Sequence, residues 1–95
     1  MAGRLQNKVA LITGGGAGLG EATAKRFAQE GAVVVVTDIN ADTATRVAEE
    51  INASGGQATA RQQDVTNEAL WETVVNEIVD NYGALHILVD TGGQW

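Results

Sequence analysis

A cluster of glycines is the part of this sequence whose residue types and spacing could do chemistry. Five of the 12 glycines in the chain lie in the stretch TGGGAGLG, which follows a short apolar run and precedes a helical pattern. Glycine lets a backbone approach a ligand closely because it has no Cβ. The first turn of a helix adds unpaired N–H groups and the positive end of its dipole. Such a loop binds a phosphate or pyrophosphate group, or else it is a glycine-rich turn that binds nothing.

The spacing of these glycines separates the loop from two common phosphate-binding patterns. The dinucleotide fingerprint G-x-G-x-x-G fails, because its sixth position is Leu19 when counted from Gly14. Counted from Gly16, the sixth position is Glu21. The Walker pattern also fails, since Glu21 and Ala22 stand where Lys and Ser or Thr are required. The pattern that fits is T-G-x-x-x-G-x-G, formed by Thr13, Gly14, Gly18 and Gly20.

An acidic residue stands where a nucleotide ribose would need one. Asp38 ends the second apolar run and follows Gly20 by 18 positions. In a dinucleotide-binding fold, an acid about 20 residues beyond the loop accepts hydrogen bonds from the adenosine ribose hydroxyls. Its charge would repel a 2′-phosphate, and positions 15, 16, 17, 39 and 40 hold no Arg or Lys. The sequence therefore predicts NAD rather than NADP. The alternative for Asp38 is that it is only a turn residue at the end of a strand.

Four apolar runs alternate along the chain with three helical patterns. The second run contains four consecutive valines, and a strand without a polar face suits the centre of a parallel sheet covered on both sides. The third run is weaker and is assigned mainly by its position. Strands that alternate with helices indicate βαβ units and an α/β fold with a parallel sheet. The four predicted strands cover residues 8–12, 32–37, 57–63 and 86–89.

Three helices are predicted between these strands. The first covers residues 19–30 and ends at Gly31. Asn40 is the predicted N-cap of the second helix, which closes at residues 55–56, and Thr66 is the predicted N-cap of the third, which ends at Gly83. The apolar stripes that support the last two helices are Ala44, Val47, Ala48 and Ile51, and then Trp71, Val74, Val75, Ile78 and Tyr82.

The glycine loop at a strand–helix junction, followed by Asp38 and then the pair Asp64-Val65, resembles the short-chain dehydrogenase/reductase family. The resemblance covers residues 5–93 and implies a Rossmann-like three-layer half-domain, with a parallel sheet in the strand order 3-2-1-4. It implies that residues 1–95 form a single truncated dinucleotide-binding domain, the NAD-binding half of an alcohol or ketone oxidoreductase that works by hydride transfer. An S-adenosylmethionine methyltransferase is the rival, but its acid usually ends the first strand, where this chain has Thr13.

The resemblance also implies which residues contact the cofactor. Asp64 and Val65 would lie beside the adenine, with the carboxylate near the exocyclic amine, although Asp64 could instead be a turn or cap residue. The positions that the resemblance assigns to NAD are Gly14, Gly16, Ala17, Gly18, Leu19, Gly20, Asp38, Ile39, Asp64, Val65, Asp90 and Gly92.

The resemblance weakens towards the end of the chain. Where the family has Asn-Asn-Ala-Gly after the fourth strand, this chain has DTGG, so that Asp90 replaces an amide by a carboxylate that cannot donate a hydrogen bond. The family's catalytic Ser, Tyr and Lys have no counterparts. The only tyrosine is Tyr82, which we expect to pack in its helix, and four residues on stands His86, which we expect to open a buried strand. We therefore expect no catalytic residue here and no turnover by this chain alone.

Composition excludes several other functions. The net charge is −6 and the six basic residues are scattered, which argues against nucleic acid and against an anionic membrane surface. The chain has no cysteine, and no group of His, Asp and Glu has the spacing of metal ligands. The longest apolar run covers residues 32–36 and the first eight residues have no apolar segment, so we expect no membrane span, no signal peptide and a cytoplasmic protein.

The fourth strand raises a question of partners. In the implied strand order it lies at the edge of the sheet, and an apolar edge is a template for pairing with another strand. We therefore expect a homodimer or a larger assembly through this edge. An alternative to NAD binding is a structural or engineered fragment that associates with itself and binds no ligand.

Overall fold

The computed structural model describes residues 3–14, 16 and 18–90. Strands and helices alternate throughout these residues, as the sequence predicts. The elements are β1 (Val9–Thr13), α1 (Gly18–Gln29), β2 (Val33–Asp38), α2 (Ala41–Ala53), β3 (Gln57–Gln62), α3 (Glu68–Tyr82) and β4 (Ile87–Asp90).

The four strands form one parallel sheet in the order β3-β2-β1-β4, which confirms the predicted Rossmann-like α/β fold. Thr13 at the end of β1 lies in register with Thr37 on one side and with Asp90 on the other. Asp38 pairs with Gln62 at the end of β3. Because parallel strands all point the same way, their carboxyl ends meet at one edge of the sheet, and the glycine loop lies at that edge.

Helices cover both faces of the sheet. On one face, α1 and α2 pack on alternate strand residues such as Ile12 and Val34, and on the other face α3 packs on Leu11 and Val35 through Val74. Strand β2 is buried from Val34 to Thr37, as expected of a central strand without a polar face. The two apolar layers restrain the strands whose carboxyl ends form this edge, since closely packed interiors resist small displacements.

One of the two predicted helix N-caps is observed and the other is not. The Asn40 side chain accepts hydrogen bonds from the N–H groups of Asp42 and Thr43, so this predicted N-cap is confirmed. The prediction of Thr66 as the next N-cap is wrong, because Asn67 caps α3 by accepting from the Leu70 N–H. Thr66 instead donates to the carboxylate of the residue two positions before it.

The expectation that His86 opens a buried strand is also wrong. His86 is exposed and precedes β4, while the residues of β4 alternate between half-buried and exposed. His86 extends the sheet nonetheless. Its side-chain Nδ1 accepts from the Val9 N–H over 3.0 Å, and its backbone N–H donates to the Val9 carbonyl over 2.9 Å. The reason for the exposure is that β4 pairs only with β1 within the described residues.

Tyr82 is less buried than its apolar stripe predicts. Val74 and Ile78 of that stripe are buried, but Tyr82 is 37% exposed and its hydroxyl lies 3.4 Å from Thr59 Oγ1. Among the described residues, no helix is long and apolar enough to cross a membrane. In the same part of the chain, no group of three or more His, Asp or Glu side chains is placed to hold a metal ion.

Candidate functional site

The loop between β1 and α1 depends on glycine backbone conformations. Gly14 has a φ of 64° and Gly18 a φ of 58°, in the left-handed region that other residues rarely adopt. A Cβ on Gly18 would meet nothing within 4 Å, so backbone conformation and not lack of space requires glycine there. Since α1 begins at Gly18, the unpaired N–H groups of its first turn lie at the carboxyl edge of the sheet.

Gly16 is required for a different reason, which is close approach. A Cβ at this position would lie 2.3 Å from Thr43 Oγ1 and 2.9 Å from Asp38 Oδ2. The Gly16 N–H donates a hydrogen bond of 3.0 Å to the same Asp38 oxygen. The end of β2, the start of α2 and the glycine loop therefore touch at this one residue.

The Asp38 carboxylate is held in a fixed orientation at the end of β2. Its Oδ2 accepts from the Gly16 N–H, and its Oδ1 accepts from the Asn40 N–H over 3.1 Å. Each carboxylate oxygen can accept a further hydrogen bond, because a carboxylate has about four lone-pair sites. The half-buried side chain thus presents negative charge and acceptor capacity beside the loop.

Arg46 is a residue of this region that sequence reasoning missed. Its Nη2 donates to the Gly16 carbonyl over 3.1 Å and to Glu21 Oε1 over 3.1 Å, and its Nη1 donates to Glu50 Oε2 over 2.9 Å. The i,i+4 spacing of Arg46 and Glu50 predicts a pair within α2. Nothing in the sequence indicates that the same guanidinium crosses to the glycine loop, because that contact depends on how α1 and α2 pack.

Four charged side chains link α1 and α2 behind the loop. Lys25 pairs with Glu21 over 2.7 Å and with Glu50 over 2.6 Å, while Arg46 pairs with the same two carboxylates. Hydrogen bonds from Arg46 and then from Lys25 lower the pKa of Glu21 to about 2. Hydrogen bonds from Lys25 and then Arg46 lower the pKa of Glu50. The same hydrogen bonds raise the pKa values of Lys25 and Arg46, so all four groups stay charged at neutral pH.

Two apolar side chains that the family resemblance assigns to the cofactor are exposed at this edge. Leu19 in the first turn of α1 is 74% exposed, and Ile39 after β2 is 65% exposed. Ile39 also borders an open cleft of about 430 Å³ whose other walls include Asn40 and Gln62. A larger cavity of about 950 Å³ lies between the carboxyl-terminal ends of α1 and α2, at the opposite edge of the sheet.

Asp64 forms a local turn. Its Oδ1 accepts from the Thr66 N–H over 2.9 Å and from Thr66 Oγ1 over 2.7 Å. These bonds, the hydroxyl first, lower the pKa of Asp64. The geometry agrees with the turn-residue alternative for Asp64. Val65, the next residue, is half-buried and its carbonyl accepts a hydrogen bond from Trp71 Nε1 over 2.7 Å.

Asp90, the last residue of β4, completes the comparison with the predicted site. Asp90 Oδ1 accepts a hydrogen bond from Thr13 Oγ1 over 2.7 Å, at the end of β4. The predicted contacts Ala17 and Gly92 lie outside the described residues. The structure therefore brings the loop, Asp38, Ile39 and Asp90 to one edge of the sheet.

The sequence and the fold are similar to those of known proteins. Residues 8–94 match the profile of a family described as short chain dehydrogenase. The chain belongs to the short-chain dehydrogenase family. One similar short-chain dehydrogenase is 2,5-dichloro-2,5-cyclohexadiene-1,4-diol dehydrogenase LinX of Sphingobium indicum, which is 50% identical over 98% of this chain and 37% of its own length. Another is 7alpha-hydroxysteroid dehydrogenase of Escherichia coli, which is 46% identical over 95% of this chain and 35% of its own length.

Solved structures of short-chain dehydrogenases have the same fold. A hydroxysteroid dehydrogenase from Escherichia coli superposes on 96% of this chain with a TM-score of 0.92 and 45% identity, and the match covers 39% of that structure. The citronellol catabolism dehydrogenase of Pseudomonas aeruginosa superposes with a TM-score of 0.89 and 32% identity, over 93% of this chain and 37% of its own. This chain thus spans little more than a third of the length of the relatives that it matches.

Proposed function

We propose that this chain is the NAD(H)-binding part of an oxidoreductase that interconverts an alcohol and a ketone by hydride transfer. The observation that carries the proposal is the Asp38 carboxylate, fixed by the Gly16 and Asn40 N–H groups beside the glycine loop. The nicotinamide of a bound cofactor would supply the hydride acceptor or donor. The chain's own part in this chemistry is to bind and orient the dinucleotide.

The residues present fit a dinucleotide. The first turn of α1 offers unpaired N–H groups to a pyrophosphate, and the open space above Gly18 leaves room for one to approach. The Asp38 oxygens have acceptor capacity for two ribose hydroxyls. Ile39 provides exposed apolar surface where an adenine would otherwise contact water. Asp64 and Val65 follow β3 at the same edge, and we assign them to the adenine on the family resemblance.

The proposed cofactor is NAD rather than NADP. A 2′-phosphate placed against Asp38 would bring like charges together in a partly buried position. The cation nearest to the loop, Arg46, is already engaged by the Gly16 carbonyl and by two carboxylates. It therefore offers a 2′-phosphate little unpaired charge.

The substrate class proposed for the whole protein is a cyclic secondary alcohol. The names of the relatives support it, since they describe a cyclohexadiene diol dehydrogenase, a cyclohexanol dehydrogenase and a hydroxysteroid dehydrogenase. We propose a cytoplasmic setting, in which the NAD pool is available. We further propose that this chain by itself does not turn over such a substrate, because Tyr82 lies where α3 leads to the amino end of β4, away from Asp38.

Titration with NADH tests the proposed function. We expect saturable binding, followed by the fluorescence of the reduced nicotinamide or by calorimetry. Asp38→Asn should weaken NADH binding about tenfold, because a charged acceptor for ribose hydroxyls is lost. Asp80→Asn is the matched control, since it removes one exposed carboxylate from α3 and should leave NADH binding unchanged. No saturation at millimolar NADH, or equal loss in the two variants, would contradict the proposal.

A specific observation favours self-association as a second property. Leu88 in β4 is 53% exposed, and within the described residues the outer edge of β4 has no paired strand. We propose that two copies join through this edge, which would bury the leucine and continue the sheet. Light scattering behind size-exclusion chromatography should give a dimer mass, and Leu88→Lys should give a monomer. A monomer for the parent chain at high concentration would exclude this mode of association.

A further inference from the structure

Both backbone polar groups of Gly16 are hydrogen-bonded to side chains from outside the loop. Its N–H donates to Asp38 Oδ2 over 3.0 Å, and its carbonyl accepts from Arg46 Nη2 over 3.1 Å. Thr43 packs against Gly16 as well, since a Cβ on Gly16 would lie 2.3 Å from Thr43 Oγ1. The three side chains come from the end of β2 and from α2, so the loop is fixed by elements outside it.

External restraint matters for a loop of this composition. Glycine has the largest backbone freedom of any residue, and a chain segment rich in glycine loses the most entropy when it is ordered. Asp38 alone restrains the N–H side of Gly16 and leaves the carbonyl side to rotate. A second hydrogen bond on the carbonyl restricts that rotation, and a ligand then binds with less ordering cost.

Arg46 is suited to this task because it is itself held in place. Glu21 on α1 and Glu50 on α2 each accept a hydrogen bond from its guanidinium. The planar guanidinium offers several donors in fixed directions, so it can serve two carboxylates and one carbonyl together. Although the side chain is 48% exposed, its three partners restrict the positions that it can take.

We propose that Arg46 is a positioning residue for the proposed NAD site. By holding the carbonyl, it limits rotation about the backbone bonds of Gly16 and favours the conformation in which the N–H meets Asp38, and so it keeps both the loop and the carboxylate in place for an unphosphorylated ribose. The inference rests on the proposed function for its second half only. The hold on Gly16 is a property of the chain without cofactor and can be measured without it.

Amide hydrogen exchange of Gly16, followed by nuclear magnetic resonance in the protein without cofactor, tests the hold directly. We expect Arg46→Met to speed the exchange of the Gly16 amide several-fold relative to the parent chain. Arg46→Lys should restore part of the protection, because one ammonium can reach only some of the three acceptors. Arg4→Met is the charge-matched control on an exposed residue of the amino-terminal turn, and it should leave the Gly16 exchange unchanged.

Affinities for NADH and NADPH test the consequence for the site. Arg46→Met should weaken NADH binding about three- to tenfold, the effect of one charge-assisted hydrogen bond, and should lower the preference for NADH over NADPH. A larger loss of NADPH than of NADH would overturn the proposal, because Arg46 would then be a ligand of the 2′-phosphate. Unchanged Gly16 exchange would overturn it as well. Failure of the parent chain to bind NADH would contradict the proposed function, while Gly16 exchange would still decide the role of Arg46.

Discussion

Thr13 and Asp90 join the ends of β1 and β4 through a hydrogen bond of 2.7 Å between their side chains. A carboxylate can only accept, so the Thr13 hydroxyl is the donor. The two residues also lie in register as paired residues of the sheet, which makes the side-chain bond an extension of the backbone ladder. Asp90 therefore places a negative charge at the carboxyl edge of the sheet, next to the glycine loop, where the family resemblance implies an amide.

Asp90→Asn should keep this bond and remove the charge. Asn can still accept from Thr13 through its amide oxygen, so we expect the free energy of unfolding to change by less than about 0.5 kcal/mol. NADH affinity should rise about two- to threefold, because one negative charge near an anionic ligand is lost. Urea unfolding and NADH titration of the same samples check both parts. Weaker NADH binding in this variant would mean that the carboxylate contacts the cofactor favourably.

Comparing Asp90→Ala with Asp90→Asn separates the effect of the charge from that of the hydrogen bond. Asp90→Ala removes both, so we expect the same gain in NADH affinity together with a loss of about 1 kcal/mol in the free energy of unfolding. Thr13→Val should give a similar loss of stability with the charge retained. If both changes left the free energy of unfolding unaltered, the bond would contribute nothing to the edge of the sheet.

Gly16 and Gly18 should respond differently to alanine. Gly16→Ala places a methyl group against Thr43 and should cost about 1–3 kcal/mol of overpacking, measured by urea unfolding. Adding Thr43→Ala should recover part of that cost, because the nearest clashing atom is the Thr43 hydroxyl oxygen. A double variant no more stable than Gly16→Ala would show that Thr43 is not the obstacle.

Gly18 has space but an unfavourable backbone angle. Gly18→Ala should cost about 1–2 kcal/mol through its φ of 58°, and no change in a neighbouring side chain should recover it. Gly18→Asn should cost less than alanine, because asparagine tolerates the left-handed region better. Equal losses in the two variants would indicate that backbone strain is not what requires glycine at this position.

The ion pairs of Glu21 with Lys25 and Arg46 should make the free energy of unfolding depend on pH. The pKa of Glu21 falls from 4.5 to about 2 in the folded protein, so its pairing is fully present above about pH 4.5. Below that pH the unfolded chain binds a proton that the folded protein does not, and the contribution declines until it is gone near pH 2. At neutral pH we expect Glu21→Gln to cost about 1 kcal/mol, a value typical of partly exposed pairs.

The measurement is the free energy of unfolding of both proteins between pH 2.5 and 7. The difference between the parent chain and Glu21→Gln should shrink as the pH falls. Glu49→Gln on α2 corrects for the loss of one exposed carboxylate that has no ion pair with any described residue. A difference that stays constant down to pH 2.5 would argue against a lowered pKa.

Gln63 is buried with an unsatisfied amide. The residue is 1% exposed, and neither Nε2 nor Oε1 has a hydrogen-bond partner among the described residues. Gln63→Met keeps the shape and removes the desolvated polar atoms, so we expect a gain of about 1 kcal/mol in urea unfolding. Gln57→Met at the exposed start of β3 is the control and should be neutral. Loss of stability would mean that a buried water satisfies the amide.

The element order and the glycine loop could be predicted from the sequence because their signals are local. Four consecutive valines indicate a central strand, and T-G-x-x-x-G-x-G at a strand–helix junction, followed by Asp38 and by Asp64-Val65, indicates the family. The sequence places the N-cap of α3 one position too early, at Thr66, since Thr and Asn are both good caps and only the chain's turn at Asp64 decides between them. The sequence does not indicate that His86 is exposed, because an apolar run does not reveal whether a further strand covers it.

The candidate site could be predicted only in part for the same reason. Asp38 stands at a fixed distance from the loop along the chain, so counting finds it. Arg46 lies 30 positions from Gly16, and its contact depends on the packing of α2 against α1. The conformational need for glycine at position 18 follows from the family pattern, whereas the steric need at position 16 follows from Thr43.

The sequence by itself determined the alternation of strands and helices, the family and the position of Asp38 after the second strand, because each depends on residues close together or regularly spaced. Only the tertiary structure decided which groups hold the loop. Helix packing brings Arg46 within hydrogen-bond distance of Gly16. Strand register does the same for Thr13 and Asp90, which are 77 positions apart. Hydrogen bonds need that distance to within a few tenths of an ångström, and no local pattern encodes it.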